Sequence, residues 1–146
     1  MANSEETSLK YSRQQLFPPI GIDGQAHLRR SQVIIVGCGA LGTAQANALV
    51  RAGIGRLRIV DRDFVEESNL QRQILFDEFD AKETLPKAVA AERKLKAING
   101  EVEVEGIVAD FDHRNGEELA KGFGVILDGT DNFESRFLLN EISIRA

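Results

Sequence analysis

The chain has 146 residues, of which 42% are hydrophobic and 28% charged, and a formal net charge of −5 at pH 7. These values predict a single folded domain, exclude disorder as its main state and argue against nucleic acid as a partner. A single cysteine excludes an internal disulfide and fits a cytoplasmic protein. No apolar run approaches the roughly 18 residues of a membrane span, so we expect no membrane partner. Residues 1–8 are polar and lack a signal-peptide core, and we expect them to form a loose N-terminal tail.

Two short helices are predicted before the first strand. The first covers residues 11–17 and is stopped by two consecutive prolines, and the second covers 24–30. We therefore divide the chain into an N-terminal helical arm, 1–30, and a second region, 31–146.

The most informative stretch is a buried-strand pattern at 33–36 that runs directly into the letters G-C-G-A-L-G, followed by a helical pattern over 41–52. Gly37 permits the tight turn, Gly39 lets a phosphate approach the backbone, and Gly42 lets the helix pack close to the strand. The free N–H groups at the helix N-terminus attract an anion. Glycines kept for packing alone are the alternative. The pattern predicts a nucleotide site with contacts from Gly37, Gly39, Ala40, Leu41 and Gly42.

The next predicted strand, 56–61, ends in an acidic residue. Asp61 lies 19 residues beyond Gly42, close to the spacing of about 20 expected for a carboxylate that binds a ribose hydroxyl. A helix-capping or loop aspartate is the alternative for this position. Asp61 therefore supports a nucleotide site, but it does not distinguish ATP from a nicotinamide dinucleotide.

Segment 64–73 is too polar for a core element, and a long polar connection of this kind is usually functional or disordered. The pattern beyond it predicts helix 86–98, strand 102–107, helix 115–121, strand 124–128 and helix 132–145. We expect Phe133, Phe137 and Ile144 to form the core face of the last helix. Because strands and helices alternate, the predicted fold class is α/β: a Rossmann-like, mainly parallel sheet with flanking helices and a ligand beyond the carboxyl ends of its strands.

Blocks along the chain, from about residue 10 to its end, resemble the MoeB/ThiF proteins, bacterial relatives of the ubiquitin-activating enzymes. In family order they are Tyr11-Ser12-Arg13-Gln14, the glycine stretch 37–42, Asp61-Arg62-Asp63, Ser68-Asn69-Leu70-Gln71-Arg72-Gln73, Pro86-Lys87 and Asp128-Gly129-Thr130-Asp131-Asn132. The resemblance implies an ATP-dependent adenylyltransferase that uses Mg²⁺, with region 31–146 as its ATP-binding, Rossmann-like domain. It would activate the C-terminal glycine carboxylate of a ubiquitin-like sulfur carrier ending in Gly-Gly, giving an acyl-adenylate and pyrophosphate for thiamin, molybdopterin or related sulfur-transfer biosynthesis.

The resemblance also assigns roles to individual side chains. Arg72 and Lys87 would bind phosphates, Asp131 would hold Mg²⁺, and Arg13 would reach into the site of the second subunit of a homodimer. We expect these four residues to carry the catalysis. Other predicted nucleotide contacts are Asp61, Asp63, Asn69, Gln73, Asp128, Thr130 and Asn132. Taken alone, Arg72 also fits a solvated loop charge, Lys87 a first-turn helix residue, and Asp131 a helix cap.

The chemistry of adenylation fits these residue types. A carboxylate attacks the α-phosphorus and pyrophosphate leaves, and because the carboxylate is already ionised at neutral pH, the site needs no general base. It must instead neutralise triphosphate charge and hold the two reactants in line. Arginine offers phosphate oxygens a planar fork, and lysine a mobile point charge. Cys38, inside the glycine stretch, is expected to be a packing residue.

The family continues beyond the point where this sequence stops, into a substrate-binding sheet, Cys-x-x-Cys zinc motifs and a reactive cysteine. We therefore expect the nucleotide half of such an enzyme, incomplete at its C-terminus, with zinc only if a further C-terminal part carries it. Two alternatives remain. One is the nucleotide domain of an NAD-dependent oxidoreductase, for which Arg72 and Lys87 have no evident use, and the other is a non-catalytic nucleotide-binding dimer module.

Overall fold

The computed structural model describes residues 9–145, so the predicted tail at 1–8 lies outside the described residues, as does Ala146. Four strands form one sheet in the order β3-β2-β1-β4, and every neighbouring pair is parallel. The strands are β1 Gln32–Val36, β2 Arg56–Val60, β3 Glu103–Ile107 and β4 Val125–Asp128. The predicted α/β fold with a parallel sheet is confirmed, and each strand bound lies within one residue of its predicted place.

Seven helices connect and cover the strands within residues 9–145. They are α1 Ser12–Gln15, α2 Gly21–Arg30, α3 Ala40–Ala52, α4 Glu78–Lys82, α5 Lys87–Ile98, α6 Gly116–Ala120 and α7 Phe133–Arg145. Single 3₁₀ turns lie at Leu9–Tyr11 and Glu67–Asn69. Helix α4 was not expected from the sequence; it begins with a reciprocal cap in which Asp77 and Asp80 each accept the other's backbone N–H at 3.0 Å. None of these described helices is both long and apolar enough to cross a bilayer.

Strand β1 is buried on both faces because alternate side chains enter two different clusters. Val33 and Ile35 pack with α3 and α5, whereas Ile34 and Val36 pack with Leu139 of α7. These four side chains of β1 are each at most 3% exposed. A central strand covered by helices on both faces has no polar side, which explains the unbroken apolar run in the sequence.

The strand order places the two predicted nucleotide loops side by side. The sheet continues through β2 and β3 on one side of β1, while β4 lies on the other, so the order reverses between β1 and β4. The glycine loop (residues 37–42) follows β1, and the β4 loop (residues 128–132) begins where β4 ends. Open parallel sheets bind their ligands in the crevice at such a switch point.

The prediction for the core face of α7 is wrong. Phe133, Phe137 and Ile144 are 74%, 73% and 76% exposed, whereas the buried residues of this helix are Leu139 and Ile142, each 5% exposed. At about 100° per residue the three exposed side chains form one stripe roughly opposite Ile142. Helix α7 therefore carries two apolar stripes, and periodicity alone does not tell which of them meets the sheet.

Segment 64–73 also differs from the prediction, because part of it belongs to the core. Val65, Asn69 and Gln73 are 1%, 8% and 4% exposed, and Val65 N donates to Leu85 O at 2.8 Å. The burial of Asn69 depends on a polar neighbour that the fold provides, Glu66 N, which donates to Asn69 Oδ1 at 3.0 Å. The sequence shows this amide but not that neighbour.

The helical arm packs against the end of α3 that is remote from the glycine loop. Gln14 Nε2 and Gln25 Nε2 both donate to Ala52 O, at 2.9 Å and 3.0 Å. The ring of Tyr11 lies against Gly53, the residue after α3. The division between arm and domain at residue 30 stays a prediction.

Candidate nucleotide site

Two glycines of the glycine loop are required by its geometry. Gly37 has φ +93°, and a Cβ there would lie 2.6 Å from the carbonyl carbon of Gly129. A Cβ on Gly42 would lie 1.9 Å from Gly37 O. Gly39 differs, because among residues 9–145, its own chain neighbours aside, the only heavy atom within 4 Å of its Cβ position is Gln73 Nε2, at 3.9 Å. The first two glycines thus allow the turn and the close packing of α3, while the third leaves the backbone open to a ligand.

The N-terminus of α3 is available to an anion. Its N-cap, Gly39, has no side chain to occupy the first N–H groups, and Ala40 and Leu41 in the first turn are exposed. The helix has 13 residues, and its dipole and free N–H groups favour a phosphate at this end.

The carboxylate of Asp61 ties β2 to the glycine loop. Its Oδ2 accepts from Cys38 N at 2.6 Å and its Oδ1 from Asp63 N at 2.7 Å. Burial raises the pKa of Asp61, although these two hydrogen bonds act to lower it. Each carboxylate oxygen keeps a second acceptor position, so the ribose contact is compatible with this geometry and stays a prediction. The Cys38 thiol is buried, which raises its pKa and agrees with a packing role.

Lys87 is the first residue of α5, as the alternative of a first-turn helix residue expects, and it is buried. Only 9% of its side chain is exposed, Nζ lies 3.4 Å from Asp63 Oδ2, and its backbone N donates to Asp63 O at 2.8 Å. Among residues 9–145, no second carboxylate lies within ion-pair distance of Nζ. A buried ammonium with one long ion pair is incompletely compensated. A phosphate would supply the missing negative charge.

The 3₁₀ turn Glu67–Asn69 and the residues just after it carry three more predicted contacts. Arg72 is exposed, and its guanidinium donates to Ser68 O at 2.9 Å but forms no ion pair within residues 9–145. Asn69 Oδ1 accepts from Glu66 N at 3.0 Å, so this side chain shapes the turn. Gln73 Oε1 is buried and has no hydrogen-bond partner in the described part of the chain. A polar ligand would satisfy both the guanidinium and the amide oxygen.

The β4 loop holds Asp131 towards solvent. Asp128 Oδ1 accepts from Thr130 N at 2.8 Å and from Thr130 Oγ1 at 2.7 Å, which closes a tight turn. Asn132 Oδ1 accepts from Ser135 N at 2.8 Å, so Asn132 caps α7. The alternative of Asp131 as the helix cap is therefore wrong. Its carboxylate is exposed and has no hydrogen bond or ion pair within residues 9–145.

These side chains fit a magnesium ion that arrives with a triphosphate. In the described part of the chain, no three or more His, Cys, Asp and Glu side chains cluster as metal ligands would. Mg²⁺ in nucleotide sites is usually held by one or two carboxylates, substrate phosphates and water rather than by an all-protein cage. Asp131 offers the single free carboxylate that this donor set requires. Magnesium binding at Asp131 stays a prediction.

Arg13 is kept away from the other predicted site residues of its own subunit. It lies between Tyr11 and Gln14, both of which contact the C-terminal end of α3. The glycine loop is at the opposite end of this 13-residue helix, about 20 Å away at 1.5 Å per residue. Arg13 is exposed and has no ion pair within residues 9–145. Because an arginine side chain is much shorter than this distance, Arg13 does not reach the crevice of its own subunit.

The sequence reasoning missed Arg136. Its Nε lies 3.0 Å from Asp128 Oδ2, and its Nη2 donates to Thr130 O at 3.4 Å. The available signal was spacing, because Arg136 follows the cap residue Asn132 by four positions. That spacing returns its side chain to the start of α7, over the β4 loop.

A profile of the ThiF family matches residues 11–146, almost the whole chain. The chain belongs to the ThiF family. This ThiF-family chain is 51% identical over 136 residues to the sulfur carrier protein ThiS adenylyltransferase of Bacillus subtilis, covering 93% of itself and 40% of that protein. It is 41% identical over 133 residues to the molybdopterin-synthase adenylyltransferase of Haemophilus influenzae, covering 91% of itself and 54% of that protein.

The fold of this ThiF-family chain is also that of a solved structure with bound nucleotide. The E. coli tRNA N6-threonylcarbamoyladenosine dehydratase TcdA in complex with ATP matches with a TM-score of 0.81 and 25% identity, over 88% of this chain and 52% of that one. The resemblance to the MoeB/ThiF proteins is therefore confirmed, and nothing in the comparisons supports an NAD-dependent oxidoreductase. The chain spans about half the length, or less, of these relatives.

Proposed function

We propose that this chain is the nucleotide half of an ATP-dependent adenylyltransferase. Its substrate is the C-terminal glycine carboxylate of a ubiquitin-like sulfur carrier ending in Gly-Gly, in thiamin, molybdopterin or related sulfur-transfer biosynthesis. The observation that carries the proposal is the grouping of an open glycine loop, a buried and poorly compensated lysine and a free carboxylate at the carboxyl ends of the strands. Relatives named as adenylyltransferases for ThiS and for molybdopterin synthase support the substrate class.

In the proposed reaction, ATP lies in the crevice with its phosphates over the glycine loop and the N-terminus of α3. One oxygen of the carrier's terminal carboxylate attacks the α-phosphorus, the bond from that phosphorus to the α–β bridging oxygen breaks, and pyrophosphate leaves with the electron pair. Lys87 and Arg72 balance phosphate charge, and Asp131 would hold Mg²⁺, which would supply further positive charge to the triphosphate. The attacking carboxylate is already ionised, so the protein's work is positioning and charge stabilisation. The ATP complex of TcdA supports the choice of nucleotide.

The remaining predicted contacts surround the nucleotide in this proposal. Asp61 accepts a hydrogen bond from a ribose hydroxyl with its free lone pairs. The ion pair between Asp63 and Lys87 is replaced by contacts of Lys87 with the phosphates. Gln73, beside Gly39, accepts a hydrogen bond from the nucleotide at its buried Oε1, which has no partner in the described part of the chain. The other proposed contacts are Gly37, Ala40, Leu41, Gly42, Asn69, Asp128, Thr130 and Asn132.

We also propose that the protein is a homodimer in which Arg13 acts in the partner's site. Support comes from the arm, which holds Arg13 about 20 Å from the glycine loop of its own subunit. Further support comes from Leu16 and Phe17, which follow Arg13 and are 70% and 57% exposed. A two-fold interface would cover these apolar side chains and deliver the arginine. We place this dimer in the cytoplasm, where the buried Cys38 thiol stays reduced.

The direct test of the proposed function compares ATP–Mg²⁺ with NAD in thermal unfolding. A ligand at 100 times its Kd stabilises the folded protein by about 2.7 kcal/mol, so ATP–Mg²⁺ should raise the Tm by several degrees and NAD should leave it unchanged. Binding of NAD without binding of ATP would return the dinucleotide alternative. Binding of ATP, without pyrophosphate exchange by the whole protein and its Gly-Gly carrier, would instead indicate a non-catalytic nucleotide module.

A further inference from the structure

We propose that Arg136 is a positioning residue that holds the β4 loop in the shape that directs Asp131 at the magnesium–triphosphate complex. This inference rests on the proposed function, because it concerns the metal contact of the same crevice. Arg136 is not itself assigned to nucleotide or metal. Its effect passes through Asp131.

The guanidinium contacts the loop at two points that bracket the turn before Asp131. Nε pairs with Asp128 Oδ2 at 3.0 Å, and Nη2 donates to Thr130 O at 3.4 Å. Asp128 and Thr130 are joined to each other by two hydrogen bonds of 2.8 Å and 2.7 Å. The carbonyl of Thr130 belongs to the peptide bond that carries Asp131, so a donor on that oxygen orients the backbone of Asp131 directly.

The two halves of the β4 loop are held differently. Gly129 N donates to Val36 O at 2.8 Å, and a Cβ on Gly129 would lie 2.5 Å from Gly37 O, so the first half is fixed against the glycine loop. The second half is partly or fully exposed. Within residues 9–145, the carbonyl of Thr130 has no hydrogen-bond donor other than Arg136. Removing Arg136 would therefore release the peptide of Asp131 without loosening the glycine loop.

The magnitude of the ion pair argues against a mainly stabilising role. The side chains of Arg136 and Asp128 are 49% and 34% exposed, and pairs with this exposure contribute about 0–1 kcal/mol to folding. Its two contacts instead fix the backbone of the turn that presents Asp131, the exposed carboxylate of the loop.

The test is a double-mutant cycle of Arg136→Gln and Asp131→Asn, with ATP binding measured by calorimetry once with Mg²⁺ and once with EDTA. Arg136→Gln should weaken binding of ATP–Mg²⁺ about tenfold and raise the half-saturating Mg²⁺ concentration, while binding of metal-free ATP is unchanged. In the Asp131→Asn background, Arg136→Gln should have no further effect. Arg136→Lys keeps the charge but not the two-point fork, so its loss should be intermediate.

Arg145→Gln is the matched control, since Arg145 lies on the same helix and forms exposed ion pairs with Glu117 and Glu141. It should bind ATP–Mg²⁺ as the wild type does. A loss that is equal with Mg²⁺ and EDTA, or that persists without Asp131, would assign Arg136 to the phosphates and overturn the inference; unchanged binding would also overturn it. Failure of the wild type to bind ATP would reject the proposed function itself. If Arg136→Gln does not fold, the cycle with Arg136→Lys decides by the same criteria.

Discussion

The ring of Tyr11 lies so close to Gly53 that a Cβ on Gly53 would sit 2.5 Å from Tyr11 Cε1. Gly53 has φ +81°, so the same residue ends α3 in the left-handed conformation and receives the arm. Tyr11 is 2% exposed, and its hydroxyl donates to Glu101 Oε2 at 3.1 Å and accepts from Asn99 Nδ2 at 2.9 Å. The arm is thereby locked to the core at the end of α3 remote from the nucleotide loops.

Gly53→Ala should lower the free energy of unfolding by about 2–5 kcal/mol. About 1–2 kcal/mol of this comes from left-handed strain, and about 1–3 kcal/mol from overpacking against the ring. Gly122→Ala is the control, because Gly122 has φ +84° but, its chain neighbours aside, no heavy atom of the described residues within 4 Å of its Cβ position. Urea unfolding of the two variants should separate the two contributions. Equal losses would mean that the added methyl group at Gly53 causes no overpacking against the ring of Tyr11.

The sequence was informative where one residue type has one structural use. Gly37 and Gly42 marked the turn because no side chain fits there, and unbroken or alternating apolar runs located the strands. The sequence was not informative where the orientation of an element decides which of its side chains are buried. Helix α7 has apolar side chains on opposite faces, so the choice of Leu139 over Phe137 for the core depends on the sheet that it meets. Likewise, the burial of Lys87 depends on α5 beginning beside Asp63, a long-range contact that no local pattern encodes.

Lys87→Met should leave the unliganded protein about as stable as the wild type and weaken ATP–Mg²⁺ binding more than tenfold. A methionine of similar shape replaces a buried ammonium that has one partner at 3.4 Å, and the carboxylate left behind, Asp63, has a side chain that is 59% exposed and stays solvated. The lost charge-assisted contact to phosphate corresponds to about 1.5–3 kcal/mol. Calorimetry with ATP–Mg²⁺ measures the loss. Lys96→Met, on the same helix but exposed, should bind normally; a similar loss there would indicate only a general effect of net charge.

The exposed carboxyl of Asp77 should titrate well below an ordinary aspartate. A hydrogen bond from Lys94, followed by the backbone N–H of Asp80, lowers the pKa of Asp77 to about 2. Because the folded-state pKa is lowered, its contribution to stability is present above about pH 4 and is lost as the pH falls through about 2. Lys94→Met should raise the Asp77 pKa in an NMR titration.

A matching variant of a second ion pair, Arg114 with Asp112, provides the control for this titration. Arg114 lowers the pKa of Asp112 to about 2, through its side-chain and backbone hydrogen bonds. Arg114→Met should therefore move the pKa of Asp112 and leave that of Asp77 in place. A shift of both carboxyls in either variant would point to a general change in charge rather than to the two separate pairs.

Asp131→Ala should abolish the Mg²⁺ dependence of ATP binding while the melting temperature without nucleotide stays close to that of the wild type. The carboxylate is exposed and has no partner within residues 9–145, so its removal leaves no buried group unpaired. Calorimetric titrations of ATP at several Mg²⁺ concentrations measure the effect. Glu134→Gln, an exposed acidic residue in the first turn of α7, should behave as the wild type. A normal Mg²⁺ dependence in Asp131→Ala would assign the ion to other ligands.

The final prediction concerns complementation between subunits. In the whole protein, Arg13→Ala and Asp131→Ala subunits should each lack carrier-dependent pyrophosphate exchange, and mixed dimers should regain it. If Arg13 of one subunit serves the crevice of the other, a mixed dimer contains one site with both an intact Asp131 and an intact arginine from across the interface. The other site lacks both, so the maximum recovery is half of the wild-type activity per dimer.

The geometry makes this test decisive, because Tyr11 and Gln14 fix both sides of Arg13 at the far end of α3. If Arg13 served its own crevice, every site in a mixed dimer would lack one of the two groups and no activity would return. Confirmed mixed dimers that stay inactive would therefore reject action across the interface. A double variant, Arg13→Ala with Asp131→Ala in one chain, mixed with wild type is the control, and it should yield no site that combines both groups. The same experiment tests the dimer separately from the role of Arg13. Mixed dimers that form but stay inactive would support the two-fold interface and reject only the action of Arg13 across it.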